Sequence, residues 1–319
     1  AGQVRTMNQL GGFMKKRRTG APGRRKRLKY IAVLPSLITL MNGLFGFLAI
    51  GYASRGIVVE GMFFNRPGLT FFALAGYMVF FAMIADMLDG RVARWSNSTS
   101  SFGGQLDSLC DAISFGVAPA FLMVKVVEVR LRQVQVHNAV LAVFLGKAIF
   151  FAAAVYVCCT VVRLARFNVE NEESESSHMV FTGLPSPAAA GTIVSLVIFQ
   201  QDVLPKLARH TGASFRLLEN LVVWSLPVVA LLAGLLMVSR VRYPHLLNQH
   251  LRGKKSFSAF IWVIFGGLLV FWNIQLAMVI SFCGFAIWGV LRQAWTKKQA
   301  EPSMEAPAAD APPEQPAGS

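Results

Sequence analysis

The sequence predicts an all-α integral membrane protein: a polytopic helical bundle of about eight transmembrane helices with both termini cytoplasmic. Three observations carry that expectation. Of 319 residues, 54% are hydrophobic and 15% charged, with a mean hydropathy of +0.51, whereas soluble domains are about 25% charged. Apolar runs near twenty residues recur along the chain, and that length crosses a hydrocarbon core of about 30 Å as a helix. The net charge of +15 is also unevenly placed, because ten of the 31 Lys and Arg fall within the first 29 residues with no acid among them. An ordinary soluble enzyme is excluded. A nucleic-acid partner is disfavoured, since the basic tail has one aromatic before Tyr30 and no folded reader around it. Anionic lipid headgroups, or the insertion machinery that reads topology, are the partners such a tail fits.

In chain order, residues 1–29 form a basic cytoplasmic tail, residues 30–292 a membrane-embedded body, and residues 293–319 a Pro-, Ala- and Glu-rich cytoplasmic tail without apolar periodicity, expected to be disordered. The first span, about Ile31–Ala53, starts some thirty residues in and is of spanning length, so it reads as a retained anchor rather than a cleaved signal. The others are approximately Leu69–Leu88, Leu106–Val127, Ala139–Val162, Leu184–Phe199, Leu217–Val238, Phe257–Trp272 and Ile274–Leu291. The last two are divided by little more than Trp272-Asn273-Ile274-Gln275, so one long tilted helix is the alternative there. With eight spans and a cytoplasmic N-terminus, 22 of the 31 basic residues fall on the cytoplasmic side, as the positive-inside rule requires. Cys110, Cys158, Cys159 and Cys283 all sit in apolar stretches and suggest no disulfide framework.

Four aspartates break the apolar pattern. Asp86 and Asp89 close the second span three residues apart, and Asp107 and Asp111 open the third four apart, spacings that put each pair on one helix face. Only a short polar stretch joins the two helices, so they can be antiparallel neighbours with four carboxylates converging near the cytoplasmic end. An uncompensated Asp within a membrane helix costs roughly 2.5–3.5 kcal/mol, and like charges repel at this range. Hard divalent cations are the natural compensation, and an all-oxygen ligand set suits Mg, Mn or Ca. Gly90, Gly103 and Gly104 leave open surface beside the acids and Arg94, which suits a phosphate or diphosphate.

Written out, Asp86-x-x-Asp89-Gly90-x-x-Ala93-Arg94, eight residues, Gly103-x-x-x-Asp107-x-x-x-Asp111 resembles the signature of the CDP-alcohol phosphotransferase superfamily, matching all eight fixed positions over 26 residues. Further stretches are similar to its bacterial and archaeal phosphatidylserine synthases: Leu34-Pro35-Ser36-Leu37-Ile38-Thr39-Leu40-Met41-Asn42-Gly43, in which Ser36 stands where Asn often follows Pro, then Arg163-Leu164-Ala165-Arg166-Phe167-Asn168, Phe181 to Ala190, and Val238 to Pro244. The resemblance covers about residues 30 to 292 and makes that body the catalytic domain.

What the resemblance implies is metal-dependent phosphatidyl transfer from CDP-diacylglycerol to L-serine, giving phosphatidylserine and CMP in phospholipid biosynthesis. It implies Asp86, Asp89, Asp107 and Asp111 as ligands of two divalent cations, Mg or Mn, with Asp111 also the catalytic base. Gly90, Ala93, Arg94 and Gly103 would line the CDP-lipid pocket, with Thr39 nearby. Arg163, Arg166 and Asn168 would bind serine or lipid phosphate, the two arginines sharing a face toward the site. Location in the cell (inner) membrane, a cytoplasmic-facing site and a homodimer are further expectations. The alternatives are the same chemistry with glycerol phosphate, inositol phosphate or choline as acceptor, or a cation transporter, which would carry its acids at mid-span.

Overall fold

A computed structural model describes residues 22–56, 70–96, 101–134, 139–173, 183–211, 213–241 and 273–300. These residues are helical apart from short connections, with no strand among them. The helices are α1 (Pro22–Arg55), α2 (Phe71–Ser96), α3 (Ser101–Asp111), α4 (Ala118–Gln133), α5 (Ala139–Glu173), α6 (Ser186–Ile198), α7 (Leu204–Thr211), α8 (Ala213–Val238) and α9 (Ile274–Ala300). π-helical turns join α3 to α4 (Ala112–Val117) and α6 to α7 (Phe199–Val203). Among the described residues, seven segments are long and apolar enough to cross a membrane, among them Leu34–Arg55, Phe71–Val92, Phe102–Gln133 and Ser186–Leu207. They match seven of the eight expected spans. The eighth, Phe257–Trp272, and both polar tails up to residue 21 and beyond residue 300 lie outside the described residues. The chain is a polytopic helical membrane protein.

The last described helix starts where the polar residues of the final apolar run lie. Asn273 caps α9, its side chain accepting from the Leu276 N–H at 3.1 Å and its carbonyl from the Ala277 N–H at 3.1 Å, which fixes the first turn of that helix. α6 is the central element, with Ala189, Ala190, Ile193, Val194, Val197 and Ile198 all fully buried. The outer helices point large apolar side chains away from the bundle, with Phe47, Phe150, Phe151 and Leu221 each 65–68% exposed, a surface suited to lipid rather than water.

Two features set the geometry of the acidic end. A Cβ on Gly43 of α1 would lie 2.9 Å from Cys110 Sγ, and one on Gly46 would collide with Ser114, so only glycine lets α1 approach the chain on either side of Asp111 this closely. The π-turn at 112–117 then widens the helix directly after Asp111. The carbonyl of Phe115, whose α-helical donor would be Pro119 with no N–H, accepts a hydrogen bond from the fully buried Tyr156 hydroxyl of α5 at 2.8 Å, and Ser114 Oγ donates to the Asn42 carbonyl of α1 at 2.9 Å. Both contacts satisfy polar groups that a lipid-embedded bundle cannot leave unpaired.

A second polar group ties the opposite end. Buried Asp202, on the other π-turn, accepts from the Tyr77 hydroxyl at 3.0 Å, and Gln275 Nε2 donates to Tyr77 at 3.2 Å. Arg130 pairs with Glu219 at 3.5 Å and hydrogen-bonds Asn220. Tyr77 precedes Asp86 by nine residues of α2, about 13 Å along a helix axis, so this cluster lies well away from the four aspartates.

Candidate active site

The four aspartates do converge. Asp86 and Asp89 occupy the last turns of the span Phe71–Val92, and Asp107 and Asp111 the first turns of Phe102–Gln133, so all four sit at one end of the bundle. Carboxylate oxygens of Asp86, Asp89 and Asp107 lie within 4.8 Å of one another. Asp111, one turn beyond Asp107, is within electrostatic reach of all three. Its Oδ1 accepts a hydrogen bond from Asn42 Nδ2 at 2.8 Å, and Asn42 is fully buried on α1.

Burying this much like charge is unfavourable unless something compensates it. Asp89 Oδ2, Asp107 Oδ1 and Asn42 Oδ1 are buried with no hydrogen-bond partner among the described residues. The unpartnered atoms of these three side chains are all acceptor oxygens, and native proteins leave few buried polar atoms unpaired. A hard divalent cation fits such a donor set.

Cys110, buried between Asp107 and Asp111 in sequence, packs on Gly43. All four cysteines are free thiols.

Around the acids, Thr39 is buried on α1 against Asp89, and its hydroxyl donates to the Pro35 carbonyl at 3.0 Å. Built Cβ atoms on Gly90 and Gly104 meet nothing within 4 Å, so the surface beside Asp89 and Asp107 is open and unobstructed by side chains. Gly103 is half-buried at the start of α3. The side chains of Ala93 and Arg94 lie outside the described residues.

The two arginines of α5 part company. Arg163 points inward, half-buried: its Nη1 donates to Ser186 Oγ at 2.8 Å, its Nε is buried without a partner among the described residues, and Asp111 lies within electrostatic reach. Arg166 is exposed at the rim, its Nε bonded to Glu170 at 2.6 Å. A pocket between α5 and α8 is lined by Arg163, Arg166, Phe167, Glu170, Met237 and Val238. Asn168 is half-buried and accepts from Ser108 Oγ at 3.0 Å, which ties α5 to the turn between Asp107 and Asp111.

Three residues at the site had no role in the sequence reading. Asn42 was legible as a polar residue inside an apolar run, the same anomaly that exposed the aspartates. Ser108 and Ser186 carried no such signal, because isolated serines are common in membrane helices and bond readily to their own backbone.

A sequence-family profile described as CDP-alcohol phosphatidyltransferase matches residues 32–232. The chain is 31% identical over 260 residues to a Helicobacter pylori protein named CDP-diacylglycerol–serine O-phosphatidyltransferase, covering 82% of this chain and 90% of that one. A Methanocaldococcus jannaschii protein of the same name is 31% identical over 172 residues, covering 54% of this chain and 64% of its own. One from Saccharomyces cerevisiae is 32% identical over 168 residues, covering 50% and 51%.

Proposed function

The chain belongs to the CDP-alcohol phosphatidyltransferase family, and from that premise we propose that it transfers the phosphatidyl group of CDP-diacylglycerol to L-serine, releasing CMP and phosphatidylserine. The shared name of relatives from a bacterium, an archaeon and yeast supports the acceptor. The observation that carries the reading is the pairing of an all-oxygen acidic cluster with one inward-facing guanidinium beside Asp111. Such a site holds metal and diphosphate on one side and has a cation for a carboxylate-bearing acceptor on the other.

Asp86, Asp89, Asp107 and Asp111 would hold the divalent cations, Mg or Mn. When bound, these neutralise charge on the diphosphate and on the departing CMP. Asp111, with Oδ1 tied to Asn42, has its other oxygen left to take the proton from the serine hydroxyl, a contribution of about 10²–10⁴-fold. The serine oxygen forms a bond to the phosphorus of the phosphatidyl group while the bond from that phosphorus to CMP breaks, and the proton passes to Asp111. Arg163 would hold the serine carboxylate, since a guanidinium matches a carboxylate bidentately, and Asn168 would lie at the edge of the same space. The open surface beside Gly90 and Gly104 admits the nucleotide, with Thr39, Gly103, Ala93 and Arg94 around it. A cytoplasmic-facing site in the inner cell membrane, with both termini on that side, agrees with the distribution of basic residues.

The test is the purified full-length protein in detergent with CDP-diacylglycerol, Mg or Mn, and a panel of L-serine, glycerol phosphate, inositol phosphate and choline, reading both CMP and lipid product. Serine-dependent CMP release with phosphatidylserine as product is expected. Turnover with choline, which has no anion to bind, would overturn the acceptor assignment. Cation transport is disfavoured by acids that crowd one end of their spans rather than the middle.

A further inference from the structure

The polar contact that fixes Arg163 comes from a segment the reaction itself does not use. Residues 183–185 run across the end of α8: the Gly183 N–H donates to the Val241 carbonyl at 2.8 Å and the Leu184 N–H to the Leu236 carbonyl at 3.0 Å. Gly183 has φ +92, and a Cβ there would run into the Met237 carbonyl. Both facts demand glycine, because other residues rarely adopt that backbone and would clash. Pro185 follows with an extended backbone and precedes the first turn of α6. Ser186 is therefore delivered to a fixed place by a strap that closes α8 onto α6, and it is 1% exposed.

From that place its hydroxyl accepts Arg163 Nη1 at 2.8 Å. A long side chain otherwise free to choose among rotamers is held in one. Held so, Arg163 lines the pocket between α5 and α8, has Asp111 within electrostatic reach, and keeps a buried Nε–H with no partner among the described residues. A buried donor left open beside a charged site is a group waiting for an anion.

We infer that Ser186 is a positioning residue for the acceptor: anchored by the Gly183–Pro185 strap, it orients the Arg163 guanidinium so that its unpaired N–H meets the carboxylate of the incoming amino alcohol. This rests on the reading of Arg163 as the carboxylate partner. Ser186 touches no substrate and acts through Arg163, so its effect is confined to acceptors that carry a carboxylate and vanishes when Arg163 is gone.

The experiment is a double-mutant cycle on the full-length enzyme in detergent with Ser186→Ala, Arg163→Ala and the combination, measuring KM for L-serine, KM for CDP-diacylglycerol, and turnover of serinol, the serine analogue without a carboxylate. A charge-assisted hydrogen bond of this kind corresponds to about a tenfold to hundredfold change. The expected results are a serine KM raised at least about tenfold in Ser186→Ala, an unmoved KM for CDP-diacylglycerol, a lost preference for serine over serinol, and a double variant no worse than Arg163→Ala. Ser186→Thr, which keeps the hydroxyl, restores the serine KM. Should Ser186→Ala fail to assemble, Ser186→Cys carries the same test, because a thiol is a weak acceptor of similar size. A raised serine KM in Arg163→Ala with none in Ser186→Ala, or additive effects in the double variant, would sink this inference alone. An unchanged serine KM in Arg163→Ala would sink the carboxylate reading beneath it.

Discussion

Replacing Asn42 by Leu isolates the contact that anchors Asp111. Asn42 is fully buried and its Nδ2 donates to Asp111 Oδ1 at 2.8 Å, while its own Oδ1 has no partner among the described residues. Leu has the same number of side-chain heavy atoms and the same branch at Cγ, so the swap removes polar atoms without opening a void, and its bulkier methyl groups make folding the control measurement. The Ser114 bond to the backbone carbonyl at this position survives. What is lost is one hydrogen bond to a carboxylate, about 1.5–3 kcal/mol, or roughly a 10- to 150-fold fall in kcat if that bond serves to hold the Asp111 carboxylate where it meets the serine hydroxyl. Removing the partner of a metal-ligating group also weakens metal affinity, by about 10–100-fold. Two assays read these effects: serine-dependent CMP release, and Mn²⁺ titration of the purified protein by paramagnetic resonance without substrate. A folded Asn42→Leu protein with wild-type kcat and wild-type Mn²⁺ affinity would refute the argument.

Other perturbations test the same architecture. Asp111→Asn is expected to abolish CMP release while sparing binding of CDP-diacylglycerol, measured by equilibrium binding of a labelled CDP-lipid; retained turnover would remove Asp111 as base. Gly46→Leu forces a side chain onto Ser114, and overpacking of this sort costs about 1–3 kcal/mol, so a lowered Tm in detergent should accompany a fall in activity at saturating metal. Tyr156→Phe leaves the Phe115 carbonyl without its donor, a loss of about 1–3 kcal/mol that thermal unfolding should show; an unchanged Tm would mean that the π-turn does not depend on that bond.

The spans were legible because bilayer thickness translates directly into residue number, and the acidic site because carboxylates in apolar runs are anomalous wherever they occur. Hydropathy alone ends the fifth span at Phe199, where Gln200, Gln201 and Asp202 begin. The helix instead continues through them, since buried Asp202 is bonded to Tyr77 from a distant helix and Gln200 reaches Glu219 at 3.4 Å. Hydropathy along one segment cannot register partners supplied by another. The same reason hid the π-turn after Asp111, whose spare carbonyl is satisfied from 41 residues away. It also hid the Asn42–Asp111 bond, which spans 69 positions. Arg163 and Arg166 line one pocket yet differ in the partners they bond. Three residues along a helix leave a difference of about 60° in direction, enough for one guanidinium to turn inward to Ser186 and the other outward to Glu170.

The widened turn at 112–117 has a consequence for which changes in chain length this helix tolerates. A π-turn accommodates one surplus residue, and each residue of an α-helix rotates the next side chain by about 100° around the axis. Deleting a single amino acid there removes that surplus, so a regular spiral forms with Asp107 and Asp111 still facing their shared hollow. Deleting one from the regular turns of α4 instead, with the rest of that helix docked in the bundle, would swing both carboxylates by about 100° toward the hydrocarbon. The bulge is thus the one place where this span can lose a residue and keep its rotational phase.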